Sequence, residues 1–150
     1  MRYWLMKTEP DVFSIDDLKS QKTTPWEGVR NYQARNFMRD EMKKGDMVLI
    51  YHSNTKPPGV AGIGVVSKEA FPDHFAWDKK SKYFDPKSTK ENPRWMMVEV
   101  KFKKKFKELI SLSEIKETKG LEGMLILRKG NRLSITPVDK KHFDKIVEMA

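Results

Sequence analysis

Apolar residues along this chain gather in short runs broken by turn residues, and one run alternates clearly. Between Trp95 and Phe102, the side chains of Met96, Val98, Val100 and Phe102 point one way and those of Glu99 and Lys101 the other. That period of two predicts a half-buried strand. Tyr3 to Met6 reads as a strand closed by Pro10, and Met47 to Tyr51 as a buried strand. Val60 to Val66 is apolar and β-branched but holds Gly62 and Gly64, which predicts a bulge or a close approach of backbone or ligand. Arg132 to Thr136 reads as a last strand, stopped by Pro137.

Helices are short and marked by their caps. Ser14 with Asp17, and Ser111 with Glu114, have capping-box spacing, the second ahead of a helix from Leu112 to Lys119. Asn31 is positioned to cap a helix of about ten residues that runs through Phe37 and Met38 to Met42. Asp139 precedes a last helix with Phe143, Ile146 and Val147 at core spacing. Pro57-Pro58-Gly59 is a turn. Phe71 to Pro93 is a long irregular segment of the kind that carries function or moves, and Met124 to Leu127 fits either a strand or a helical turn. Strands dominate and short helices interrupt them, which predicts an α+β fold around a mostly antiparallel, barrel-like sheet. No repeat or long linker divides the 150 residues, so one domain is expected.

Composition narrows the function. Thirty Lys and Arg against 21 Asp and Glu give a net charge of +9. Such a surface attracts polyanions, nucleic acid first, although the same charge could serve solubility alone. The absence of cysteine excludes disulfides, thiol catalysis and cysteine-based zinc sites. No segment has the run of about 18 apolar residues that a membrane span needs. A soluble, cytoplasmic monomer without membrane contact or cofactor is therefore expected.

The candidate chemistry is concentrated in Trp26 to Phe37, WEGVRNYQARNF. Trp26 offers a ring against which a base could stack, and Gly28 lets the chain turn beside it. Arg30 and Arg35 could pair with phosphate or stack on a base, while Asn31, Gln33 and Asn36 could match a base edge. Each has a plainer role open to it: Trp26 as a core anchor, Asn31 as a cap, Arg35 as a solvated charge. Together they point to a site for a flat polar ring. Tyr51-His52-Ser53-Asn54 stands where a buried strand ends, a common place for binding side chains. Lys101, Lys103, Lys104, Lys105 and Lys107 surround Phe102 and Phe106 and could follow a phosphate backbone or simply form a solvated face. Lys79, Lys80 and Lys82 with Trp77, Tyr83 and Phe84 make a similar basic-aromatic loop. The three histidines, His52, His74 and His142, lack metal-site spacing. No phosphate-binding glycine loop is present, and Ser53 lacks the glycines of a nucleophile elbow.

These motifs resemble those of the EVE domain of the PUA-like superfamily, most closely its thymocyte nuclear protein group and the prokaryotic relatives of that group. YWLMKTEP, FSIDDL, WEGVRNYQARNF, YHSN, PGVAGIGVV, Pro72 to His74, YFDPKS, NPRW and RLSITPV occur in order over nearly the whole chain. The resemblance implies a PUA-like β pseudo-barrel with short inserted helices, and a bare domain without the basic N-terminal tail of the nuclear relatives. It implies binding of DNA or RNA and recognition of a modified base such as 5-methylcytosine, without catalysis. By motif, the base pocket would comprise Trp26, Val29, Arg30, Asn31, Tyr32, Arg35, Asn36, Tyr51, Ser53 and Asn54. Its rim would comprise Lys7, Thr8, Glu9, Pro10 and His52. On the reading of the residues themselves, Arg30, Arg35 and Lys101, Lys103, Lys104 and Lys105 would hold phosphates. Two rival readings remain: a nuclease or base-modifying hydrolase using Asp73, His74 and Glu9, and a sensor of a free nucleoside.

Overall fold

A computed structural model describes residues 1–130 and 133–150. Its strands are β1 (Tyr3–Thr8), β2 (Thr23–Pro25), β3 (Met47–His52), β4 (Gly59–Pro72), β5 (Met96–Ser111) and β6 (Ile135–Val138). They form one sheet in the order β2-β5-β4-β3-β1-β6. Only β1 with β3 is a parallel pair; the other neighbours are antiparallel. Among the described residues no ladder joins β2 to β6, so the curved sheet is a pseudo-barrel with two edges. The short helices are α1 (Ile15–Gln21), α2 (Tyr32–Asn36), α3 (Leu112–Glu117) and α4 (Lys140–Met149). None is long and apolar enough to cross a membrane.

The central strands are buried on both faces, which is why they read as unbroken apolar runs. Trp4 and Met6 of β1, with Val48 and Ile50 of β3, pack with α1, Ala34, Met38 and Met42 on one side. Leu5, Leu49 and Tyr51 face the other side, under α3 and α4, where Ile115, Phe143 and Ile146 meet them. The two-residue period of a strand thus divides each apolar run between two cores.

The caps form as their spacing predicts. Ser14 accepts from the Asp17 N–H and Asp17 accepts in return from the Ser14 N–H; Ser111 and Glu114 repeat the arrangement. Asn31 Oδ1 accepts the Ala34 N–H at 3.0 Å, and the helix continues past α2 as a π-helical turn, Phe37–Glu41. Asp139 takes the cap position of α4 without a side-chain capping bond.

Several expectations are corrected. Pro137 does not stop the last strand but lies within β6. An edge strand tolerates proline because its outward side needs no ladder donor. Arg132, expected to open that strand, lies outside the described residues. β5 extends through the lysine run to Ser111, and β2 is too short to leave a periodic signal. The segment Leu125–Leu127 is a 3-10 turn. Gly62 serves packing: a Cβ there would lie 2.3 Å from the Lys104 carbonyl oxygen and 2.8 Å from Ile15. The β4–β5 register slips beside it, Val60 pairing with Ile110 but Gly62 with Lys105. Such bulges bend long strands and increase their twist.

Candidate functional site

A cleft of about 540 Å³ opens between the end of β1, the segment from β2 to α2, and the loop that carries Tyr83. That volume lies within the usual range for small-ligand sites. Lys7, Thr8 and Glu9 form one side, Thr24 to Asn31 the floor and far side, and Val12, Phe13, Lys82, Tyr83 and Ser134 complete the lining.

Trp26 anchors the floor. Its backbone N–H continues the sheet by donating to the Val98 carbonyl at 2.8 Å, and its ring meets Phe13 edge-on at 6.5 Å and 82°. Only 8% of the residue is exposed, so it is a core anchor with one part open to the cleft rather than a free stacking face. The indole N–H groups of Trp4 and Trp95 are satisfied by Asp46 at 3.0 Å and Asp85 at 2.7 Å. The Trp26 N–H has no acceptor among the described residues and is not sealed from solvent.

Asp73 organises the far side. Its side chain is 0% exposed and accepts from the Gly28 N–H at 3.0 Å, the Phe75 N–H at 3.0 Å and Arg30 Nη1 at 3.1 Å. Arg30 also donates to the Val29 carbonyl at 3.0 Å and the Tyr83 carbonyl at 2.7 Å. Arg30 is therefore directed inward: it fastens the Tyr83 loop to the cleft and is not a phosphate clamp. The same bonds occupy Asp73, which makes no hydrogen bond to His74 or Ser53, so the carboxylate required by the hydrolase reading is already committed to structural donors.

Gly28 shows why its neighbours fit. Its φ is +77°, and a Cβ there would lie 2.4 Å from two atoms of the Tyr83 ring. Gly28→Ala should cost about 2 kcal/mol, combining a strained left-handed backbone with a displaced ring. Thermal unfolding should then fall by about 4–8 °C. Gly45→Ala is the control, because Gly45 also has positive φ but nothing within 4 Å of a Cβ. Equal losses in the two variants would refute the contact.

Charge in the cleft is held under tension. Burial lowers the Lys7 pKa from its usual range, and Lys7 has no ion pair among the described residues. Burial, then the nearby Asp73, raises that of Glu27, with His74 and Lys82 opposing. An incoming acceptor oxygen would stabilise the charged Lys7, since an opposite charge or acceptor offsets desolvation.

The expected site residues divide into two sets. Trp26, Val29, Arg30, Asn31, Lys7, Thr8 and Glu9 line the cleft. Tyr32, Arg35, Asn36, Tyr51, Ser53, Asn54, Pro10 and His52 do not. Tyr51 is 3% exposed and points into the second core, because its strand alternates. Asn36 Oδ1 accepts from the Arg35 guanidinium at 2.8 Å, so this amide holds an arginine. His52 Nε2 accepts the Ile15 N–H at 3.1 Å, which requires a neutral ring, and burial lowers its pKa. The Ser53 N–H donates to the Thr8 carbonyl at 2.9 Å, and the Asn54 side chain donates to Glu9 at 2.9 Å; these two support the rim from behind. Lys101, Lys103, Lys104 and Lys105 are exposed on β5 and do not line the cleft, and Lys105 is paired with Asp16 at 2.7 Å. Val12, Phe13, Thr24, Pro25, Glu27, Gly28, Lys82, Tyr83 and Ser134 were missed as lining. The only signal for Tyr83 was its place in a basic-aromatic loop.

Comparison with known proteins adds a family. The EVE domain model matches residues 2–149. Human thymocyte nuclear protein 1 is 43% identical, the match covering 98% of this chain and 73% of that protein. A solved structure of a hypothetical protein from Leishmania major superposes with a TM-score of 0.94 at 51% identity, over 99% of this chain and 94% of that one. A structure of the human THYN1 protein in complex with 5-methylcytosine-containing DNA superposes with a TM-score of 0.90 at 42% identity, over 99% and 97%.

Proposed function

The chain belongs to the EVE domain family, and on that premise we propose that it is a non-enzymatic reader of nucleic acid that receives one modified base, a methylated cytosine in the first instance, in the cleft beside Trp26. The observation that carries this reading is the cleft's lining. An aromatic wall from Tyr83 and the open part of Trp26 faces a polar set made of Thr8, Glu9, Thr24, Asn31 and Lys7. This combination suits a flat, largely neutral ring with donors and acceptors on its edge. It does not suit a bare phosphate, because Glu9 and Glu27 share the lining and Arg30 is spent on Asp73.

In this reading the unpaired Trp26 N–H and the Lys7 ammonium donate to ring acceptors, and Tyr83 covers a ring face. Asn31 contributes its remaining amide N–H groups, since its oxygen caps α2. Phosphate contact falls to exposed lysines, Lys101, Lys103 and Lys104 among them. Extruding a base costs a few kcal/mol, which the closed cleft must repay. The human relative's complex with methylated DNA supports the reading.

The test is a binding panel of oligonucleotides with one cytosine, 5-methylcytosine or 5-hydroxymethylcytosine in a fixed sequence. One buried methyl contributes about 0.8 kcal/mol, so the methylated form should bind about fourfold more tightly, and tens of fold at most. Equal affinity across the panel, with every other modified base tried, would remove the claim of base reading.

A further inference from the structure

Tyr32 and Trp95 lie outside the cleft and have no part in the reading above. Tyr32 is 52% exposed, yet its ring is held, stacked on Trp95 at 4.9 Å and 23°. Trp95 itself is 5% exposed and tied through its indole N–H to Asp85 at 2.7 Å. The guanidinium carbon of Arg35 lies 4.8 Å from the Tyr32 ring centre and 5.9 Å from that of Trp95. With the two rings 4.9 Å apart, these distances close a compact triangle. A cation over the outer face of Tyr32 would lie about two ring spacings from Trp95. Arg35 therefore does not lie over the face of Tyr32 turned away from Trp95, and among the described residues no ring or cation contact covers that face of a residue that is half exposed.

Arg35 is fixed there by donating to the Arg94 carbonyl at 3.0 Å and to Asn36. Arg30, which lines the cleft, lies 5.3 Å from the Trp95 ring on its own side. A single exposed aromatic needs no explanation. This one is backed by a buried indole, edged by Arg35, and directly follows a cleft residue, Asn31, in the chain. A flat face edged by positive charge matches a nucleobase that carries its own phosphate, because base–aromatic stacking is tolerant of sequence and arginine adds to it.

The geometry points to Tyr32 as the stacking platform for the nucleotide adjoining the one held in the cleft, with Arg35 beside that nucleotide's phosphate. This rests on the base-reading proposal, and it assigns the neighbour a place of its own. Because Tyr32 is already half exposed, Tyr32→Leu removes the aromatic face while leaving the packed side of the residue apolar.

The experiment measures affinity, by fluorescence anisotropy, for single-stranded oligonucleotides with a central 5-methylcytosine. The flanking nucleotides are either intact or abasic. Tyr32→Leu should weaken binding of the intact strand by about tenfold. Abasic flanks should weaken wild type by a similar factor and Tyr32→Leu hardly at all, while Tyr32→Phe behaves as wild type. If Tyr32→Leu binds the intact strand as wild type does, or abasic flanks weaken both proteins equally, the platform is refuted. The methylated-to-unmethylated ratio tests the cleft separately. It should survive in Tyr32→Leu, and a wild-type ratio of one would defeat the cleft reading while the flank comparison still judged the platform.

Discussion

Asp73→Ala should cost about 3–5 kcal/mol of folding stability, the usual penalty for removing one partner of a buried charge pair. The carboxylate is inaccessible and satisfies the Gly28 and Phe75 N–H groups and Arg30 together. Alanine leaves two backbone donors without their acceptor and an arginine whose side chain is only 24% exposed without its counter-charge. Arg30 Nε already lacks a partner, and the Val29 and Tyr83 carbonyls that remain to the guanidinium carry no counter-charge. For a chain of this size the melting temperature should drop by roughly 10 °C. Asp73→Asn should lie between, because it keeps one acceptor but loses the charge and turns an amide N–H toward other donors. Urea denaturation of the three proteins decides the matter: a loss below about 1 kcal/mol for alanine would mean that Asp73 does not hold this wall together. Binding should weaken as well, since Arg30 fastens the Tyr83 loop.

Trp26→Ala combines two losses. Truncating a buried tryptophan costs about 3–5 kcal/mol through lost burial and the cavity left behind. Most small domains have about 5–15 kcal/mol in all, so the variant should fold at low temperature with a reduced margin. Its discrimination between methylated and unmethylated cytosine should disappear, because the floor of the cleft would be gone. Trp26→Phe separates the two roles. It retains much of the packing against Phe13 but removes the unpaired indole N–H. It should therefore keep most of the stability and bind the modified oligonucleotide several-fold more weakly, by about 1 kcal/mol for one lost hydrogen bond. Wild-type affinity in Trp26→Phe would show that the indole N–H makes no contact with the base.

Local signals in the sequence proved dependable where one short-range interaction decides the outcome. Ser14 with Asp17, Ser111 with Glu114, and Asn31 all form the predicted caps, because a cap needs only residues three positions apart. The strand expected from Met47 to Tyr51 differs by one residue from β3. What sequence could not convey was which face of a doubly buried strand looks where. Tyr51 reads equally well as a site residue or as a core residue, and the strand's alternation sends it to the second core. Arg30 reads as a phosphate ligand until Asp73, distant in sequence, is seen to take it. Ser53 and Asn54 stand behind the rim for the same reason: their partners, Thr8 and Glu9, are reached only through the parallel β1–β3 pairing. Long-range pairing therefore decided each of these roles.

The position of β6 has a consequence for synthesis. Its residues, Ile135 to Val138, zip onto β1, from which they are separated by more than a hundred residues of chain. Until that late segment leaves the ribosome, one side of β1 has open N–H and C=O groups, and the nascent chain presents an unsatisfied edge that can pair with other chains. Loss of the β6 pairing, by whatever route, would thus turn the parallel β1–β3 pair into a sheet edge able to join a second copy of the chain.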